Sequence, residues 1–518
     1  VATGWQTFPV EFKGGLISNL SPLQQGTNAV GSAIALQNFE PSKDGGYKKV
    51  LGYAKFSETA VTGTGTLKGV IIVDDAKVIA ARVNPTFGYT RYWYGTGTTW
   101  TSIATTAAVG GKVRHVSYNF GLGIKIALVD GANAAGIYDD ATDTITFLTG
   151  VTDAVGASHA AVYKQTLFFA KGSNLIFGAP YSDSDFTPAN GAGIINTAQD
   201  ITGLIVFRDQ LIVFSRNKIQ RLVGSTAADF QLLPITEDIG CTYPDTIQEF
   251  GGDVMFMGPD GLRLLSATER LGDFGLEVTS DKINKTMMTF VSEASEFTSL
   301  VIRNKAQYRL FRVSSGDTAD TAQGVLATKF SDQGASSIDW ATMVGFKVAV
   351  ADSNYPEVGT GKEIVIFGND TGYVYKMEFG NSRDGSTIQC VYQSPFMPIT
   401  DPQKRKTLYK MALYVDTVGL FEIDVNFHFD LFKVDNYNGA VQAPTITLAN
   451  TAGGSVFFYG SSLAIYGTAV YGEDVDKVYD TPVIGSGKTF SFRIQEDSIN
   501  ASFTLDTAVF EFKEHDRQ

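Results

Sequence analysis

The run Gly485-Ser486-Gly487-Lys488-Thr489 ends like a phosphate-binding loop, in which backbone N–H groups and a lysine cradle phosphate oxygens. That motif needs its first glycine where this chain has Pro482. The residues that follow, Phe490-Ser491-Phe492-Arg493-Ile494, alternate as a strand, whereas a phosphate loop must open a helix whose N-terminus receives the anion. Nucleotide binding is therefore rejected for this run. Gly359-Thr360-Gly361-Lys362 fails the same test, with Pro356 in the first position and Glu363 where a hydroxyl is required, and reads as a turn before a strand at Ile364.

The four histidines, His115, His159, His428 and His515, stand in no metal-ligand spacing and near no cysteine pair, so each is read as a core or surface histidine. Asp139 with Asp140, and Asp183 with Asp185, have the chemistry of a glycosidase pair or a calcium site. They fall in Ser/Thr/Gly-rich turns, where Asp caps loops for local reasons, and that is the reading taken. Lys404-Arg405-Lys406 is a short basic run, read as a solvated face rather than a phosphate site. Trp93 and Trp100 flank Gly95-Thr96-Gly97 and suit a sugar platform, but packing within a sheet accounts for them as well. Asn284-Lys285-Thr286 and Asn500-Ala501-Ser502 are sequons by chance occurrence. No catalytic, cofactor-binding or metal-binding residue is assigned, and the expectation is a protein that is not an enzyme and carries no cofactor.

The elements that would hold these residues are strands. Glycine, at 54 of 518 residues, falls between short apolar runs, and the 36 Phe and 22 Tyr suit pleated, half-buried surfaces. From about Leu67 to Pro395 one unit returns: an apolar run, a Gly/Asp/Asn turn, a second run. Leu204 to Phe207, Leu211 to Phe214 and Lys218 to Val223 read as three successive antiparallel strands, and Gly258-Pro259-Asp260-Gly261 is a turn with a mechanism. Corresponding hairpins recur every ~40–50 residues, the length of a four-stranded blade. The spacing predicts an all-β chain with a β-propeller of six to eight blades over 66–395, with six or seven candidates near 66–105, 112–150, 153–199, 200–241, 242–285, 299–347 and 348–395. Asp273 to Glu296 reads as partly helical. Beyond Pro395 longer strands alternate, with Val425, Phe427 and Phe429 on one face and Asn426, His428 and Asp430 on the other, and further runs at Ser455 to Phe458, Thr489 to Ile494 and Ala508 to Phe512. A C-terminal β-sandwich over 396–518 is expected, and residues 1–65 read as an N-terminal arm with a short helix, leading into the propeller.

Forty-one Lys and Arg stand against 54 Asp and Glu, a net charge of −13. That balance disfavours gripping nucleic acid by counterion release, but not letting a duplex slide past. Two cysteines, Cys241 and Cys390, make a disulfide framework improbable and suit a reducing cytoplasm. Val1 to Gly15 lacks the pattern of a signal peptide and no apolar stretch approaches ~18 residues, so the expectation is a cytosolic product with no membrane span.

With these residues laid out, the chain resembles the tail nozzle, or tail hub, proteins of short-tailed bacteriophages (podoviruses), which include tubular tail proteins and packaged-DNA stabilisation proteins. The likeness rests on Gly14-Gly15-Leu16-Ile17, Pro22-Leu23, Ala35-Leu36-Gln37-Asn38-Phe39 and Gly45-Gly46-Tyr47-Lys48-Lys49-Val50-Leu51-Gly52-Tyr53, with Lys48-Lys49 where the family pattern has Lys-Arg. Gln307-Tyr308-Arg309-Leu310-Phe311 resembles a late propeller strand of the family, and Ser502 to Leu505 with Glu511-Phe512-Lys513 its closing strands. The resemblance implies a virion structural protein assembled in the host bacterial cytoplasm. It implies a homohexamer forming a tube below the portal and the tail adaptor protein, retaining packaged DNA and conducting it at genome ejection without sequence-specific binding. Tail fibres or tailspikes are further expected partners. A lumen sharing the chain's negative charge would repel the duplex and disfavour a stalled state. The alternative is a monomeric propeller that binds or cleaves carbohydrate, and a propeller scaffold for a partner peptide lies between the two.

Overall fold

A computed structural model describes residues 4–84, 88–266, 278–314, 316–332, 335–354, 363–417, 422–430, 446–449 and 477–515. The chain is an all-β protein: a seven-bladed propeller joined to a β-sandwich. Four blades are complete four-stranded antiparallel meanders, over 64–105, 114–147, 159–196 and 201–236. The fifth shows three strands over 248–264, and the sixth has four over 296–344. The seventh takes three strands from 350–377 and its outermost from Tyr53–Lys55, near the other end of the sequence. That exchange closes the ring, because Val350–Asn354 also packs beside Thr64–Ile72 of the first blade. The run Ser455 to Phe458 and the segment 359–362 lie outside the described residues. Of the expected helical stretch, Asn284–Glu293 is an α-helix, and 273–277 also lies outside them.

The packing follows from the two-residue period of a strand. In Thr166–Lys171, Leu167 and Phe169 face the second blade, beside Ala127, Val129 and Ile137. Phe168 and Ala170 face the fourth, beside Leu211, Val213 and Leu222. A blade is therefore apolar on both faces and needs two neighbours, which a closed ring supplies. The tight turns have the twist this requires: Lys164 and Gln165 take φ of 47° and 57°, and Arg208 and Asp209 take 47° and 60°. Lys164 and Asp209 pair at 2.5 Å across the two adjacent hairpins.

The sandwich is not built from C-terminal residues alone. One sheet joins Arg405–Thr417, Lys477–Gly487 and Phe503–His515 with the N-terminal strands Gln6–Glu11, Phe39–Pro41 and Tyr47–Lys49. The other is part of a nine-stranded sheet that begins as the sixth blade. Ala35–Gln37 lies parallel to Ala335–Val344 of that blade and antiparallel to Ile388–Gln393, which continues through Phe490–Ser498 and Glu422–Phe429. Val425, Phe427 and Phe429 are buried on one face, as their alternation requires, and Phe510 of the opposite sheet meets Phe427, Phe490 and Phe492 with ring centroids 5.0–6.1 Å apart. The N-terminal residues thus lie on partners within their own chain, and Ser21 caps the helix Pro22–Asn28 through a reciprocal pair of hydrogen bonds with Gln24.

Candidate functional site

The first strands of the blades surround an axial cavity of about 320 Å³, whose lining comes from all seven blades and the segment before the fifth. Two clasps cross it. Arg114, on the second blade, donates from Nε and Nη2 to the two oxygens of Asp245 at 2.6 and 3.1 Å and from Nη1 to the carbonyl of Ser158 at 3.2 Å. Lys112 approaches the same Asp245 at 3.4 Å and reaches the sixth blade, where it meets Glu296 at 3.2 Å and donates to Thr298 Oγ1 at 2.8 Å. The second clasp pairs His115 Nε2 with Asp352 of the seventh blade at 3.6 Å, and Asp352 accepts the backbone N–H of Ile72 in the first at 2.8 Å. Burial alone would raise the carboxyl of Asp245, but Arg114 and then Lys112 outweigh it and hold that group below the ordinary range.

His159 borders the cavity and is 7% exposed. Its Nδ1 lies 2.9 Å from Ser158 Oγ, while Nε2 has no partner among the described residues. Burial first, and the nearby Arg114 second, push it down to about 3. An unfolded histidine titrates near ~6.5, so below that pH the unfolded chain takes a proton that the folded chain refuses. Stability falls accordingly as pH drops from about 6.5 toward 3, by at most ~1.4 kcal/mol per pH unit. His159→Gln is expected to lose this slope: urea midpoints of variant and parent should converge between pH 7 and pH 5. Equal slopes in the two proteins would contradict the assignment.

The other residues that suggested chemistry are engaged in packing and loop structure. Asp140 pairs with Lys77 at 3.1 Å, and Asp139 accepts the N–H of Ala141. Asp183 pairs with Lys125 at 2.7 Å, and Asp185 accepts from Thr187 and Asn190 within its own loop. Trp93 is buried under Arg91, and Trp100 tilts against Phe56 and donates to the carbonyl of Thr59. In the basic run Lys404 pairs with Glu514, Arg405 donates to Ser486, and Lys406 is buried with its ammonium on the carbonyl of Asp401. Burial raises both thiols, Cys241 to about 12, and both cysteines are free. Among the described residues no group of three or more His, Cys, Asp or Glu is placed to hold a metal ion. Sequence reasoning passed over Arg114, Lys112, Asp245 and Asp352 because they lie far apart in the chain and meet only when the ring closes.

Gly485 and Gly487 have a packing reason. They end the strand Lys477–Gly487, and a Cβ on Gly485 would stand 1.9 Å from the ring of Phe429. Gly485→Ala is expected to lower stability by roughly 1–3 kcal/mol through overpacking. Calorimetry with ATP should show no binding by parent or variant, whereas saturable binding lost in the variant would restore the phosphate-loop reading.

No family model matches the chain and no curated protein matches it. Among solved structures it is similar to BBS1N, crystallised in complex with ARL6DN, at 9% identity and a TM-score of 0.37, over 64% of this chain and 98% of that one. It is also similar to the extracellular domain of the one-component system BT4673 from B. thetaiotaomicron, at 9% identity and a TM-score of 0.36, over 69% of this chain and 43% of that one. A third is the extracellular domain of the two-component system BT3049 from the same organism, at 9% identity and a TM-score of 0.35, over 61% of this chain and 40% of that one. The chain thus spans less than half of each of the two bacterial chains. At such identities no activity or partner transfers.

Proposed function

We propose that this chain is a non-catalytic structural subunit of a virion: a tail nozzle of a short-tailed bacteriophage that assembles with further copies into a tube. Six copies, as the resemblance implies, would sit below the portal and adaptor, with tail fibres or tailspikes as further partners. The tube retains the packaged genome and conducts it at ejection. The observation that carries this reading is the nine-stranded sheet shared by the sixth blade and the sandwich, since a ring subunit that transmits force needs its two bodies to move as one. The axial clasps agree with it. They close each propeller's own axis, so the duplex runs between copies and not through one.

The test is the mass in solution, by light scattering over a concentration series. The expected result is a closed assembly of about six subunits. A chain that stays monomeric at every concentration and binds or cleaves a glycan would replace this reading with that of a carbohydrate-directed propeller.

A further inference from the structure

Past His115, Ala160 and Leu204 the axial cavity continues into a groove of about 450 Å³, at the end of the propeller where the innermost strands finish. Its walls come from Arg114–Tyr118, His159–Tyr163 and Ile201–Phe207 of the second, third and fourth blades. The backbone of the last two is half unused. The two-residue turns Lys164-Gln165 and Arg208-Asp209 are closed by hydrogen-bonded pairs, Tyr163 with Thr166 and Phe207 with Gln210, and the bonding alternates from there. The N–H and C=O groups of Ala160, Val162, Leu204 and Val206 therefore point away from the ladder and into the groove that these residues line. Their N–H groups have no protein partner among the described residues. Two adjacent strand edges thus offer main-chain donors and acceptors to one groove.

Apolar side chains stand in solvent around its mouth. Leu122 and Ile124, in the turn after Arg114–Tyr118, are 82% and 53% exposed. Tyr181, whose N–H donates to the carbonyl of Gln165 at 2.8 Å, is 68% exposed. The turns at this end of the three blades carry Asp140, Asp143, Asp183, Asp185, Asp209 and Asp229 against Lys164 and Arg208. Lys77 and Lys125 reach in from neighbouring strands to Asp143 and Asp183, each at 2.7 Å, which still leaves carboxylates in excess. Their field extends to the groove wall: burial first, and then the charge of Asp183, push the Tyr118 hydroxyl up.

We propose that this groove binds an extended segment of a partner protein in which apolar residues alternate with lysine or arginine. Unpaired strand edges recognise an extended segment, because its own main chain completes their hydrogen bonds. The side chains of such a segment point alternately to opposite faces. One set meets Val116, Phe120 and Val162 of the wall, and the other meets the carboxylates of the mouth. The inference concerns a single propeller and holds apart from the ring reading.

The probes are short fluorescein-labelled peptides that alternate Lys with Val, Leu or Phe, and the same peptides with Glu in place of Lys, titrated against the full chain by fluorescence anisotropy. The expected result is saturable binding of a Lys peptide, roughly tenfold or more tighter than its Glu counterpart, with slowed hydrogen–deuterium exchange at Val162 and Val206. Val206→Lys should weaken binding roughly tenfold or more at an unchanged melting temperature. Val162→Pro, which removes a donor that the ladder does not use, should weaken it as well. Binding without slowed exchange, or binding that Val206→Lys leaves intact, would place the peptide elsewhere and overturn the proposal. Equal binding of the Glu peptides, or no binding by any peptide, would also overturn it. Slowed exchange at the same amides when the chain alone is concentrated would assign the groove to a second copy, and binding to phosphatidylglycerol vesicles that Leu122→Asp abolishes would assign it to a lipid surface; either result overturns the proposal.

Discussion

Replacing Lys49 by Met is expected to lower stability by roughly 3–5 kcal/mol, because it strands a carboxylate in a dry interior. Lys49 and Glu496 pair at 2.8 Å with neither side chain exposed, and the ammonium also donates to the carbonyls of Ser498 and Asn500 at 3.0 and 3.3 Å. All three acceptors lie at the C-terminal side of the sandwich, whereas Lys49 ends the N-terminal strand Tyr47–Lys49. The pair therefore staples two ends of the chain that no turn connects. Glu496→Leu in the same background should restore most of the loss, since replacing both charges by apolar groups of similar volume is often neutral. Chemical unfolding of the two single variants and the double variant measures this, and additive losses in the double variant would show that the pair is not the source.

Arg309→Leu should have an effect of the same order, about 3–5 kcal/mol, at the other junction. Arg309 is fully buried in the sixth blade and lies between Glu40 of the N-terminal arm at 3.1 Å and Glu378, just past the seventh blade, at 2.7 Å. Lys305 contacts both carboxylates. Glu378 has φ of 60°, a conformation that costs free energy and persists here because two cations hold its carboxylate. Burial raises that carboxyl, but Arg309 and then Lys305 outweigh it and the net direction is downward. A depressed carboxyl contributes stability that is present above its unfolded value and lost as pH falls through its folded value. The parent should therefore lose this contribution on acidification, and Arg309→Leu should show a smaller acid-side loss because part is already gone at neutral pH. Melting curves at pH 7 and pH 4 decide it: parallel losses in both proteins would place the effect elsewhere.

How far the sequence foretells this molecule depends on the distance over which each feature is determined. The blades were legible because their causes are local: Leu167-Phe168-Phe169-Ala170 alternates between two buried faces, and Gly258 to Gly261 turns within four residues. The expected repeats correspond to the blades, which lie in seven of the eight sheets among the described residues. The weave of the N-terminus was not legible, because Ala35–Gln37 and Tyr53–Lys55 are three-residue strands whose partners lie more than three hundred residues away. No period exists in three residues. The axial clasps were hidden for the same reason, with Arg114 and Asp245 separated by 131 positions. That the Gly485 run is no phosphate loop was legible from Pro482 and the following strand, but the packing of Gly485 against the Phe429 ring at the end of the strand Lys477–Gly487 was not.

Electron microscopy of the assembled oligomer tests the central claim most directly. The expected result is rings with one open channel on the symmetry axis, bounded by neighbouring copies, and propellers whose own axes are filled at the level of Arg114 and Asp245. Single propellers with no assembly at any concentration, or assemblies with DNA density running through a propeller axis, would contradict it.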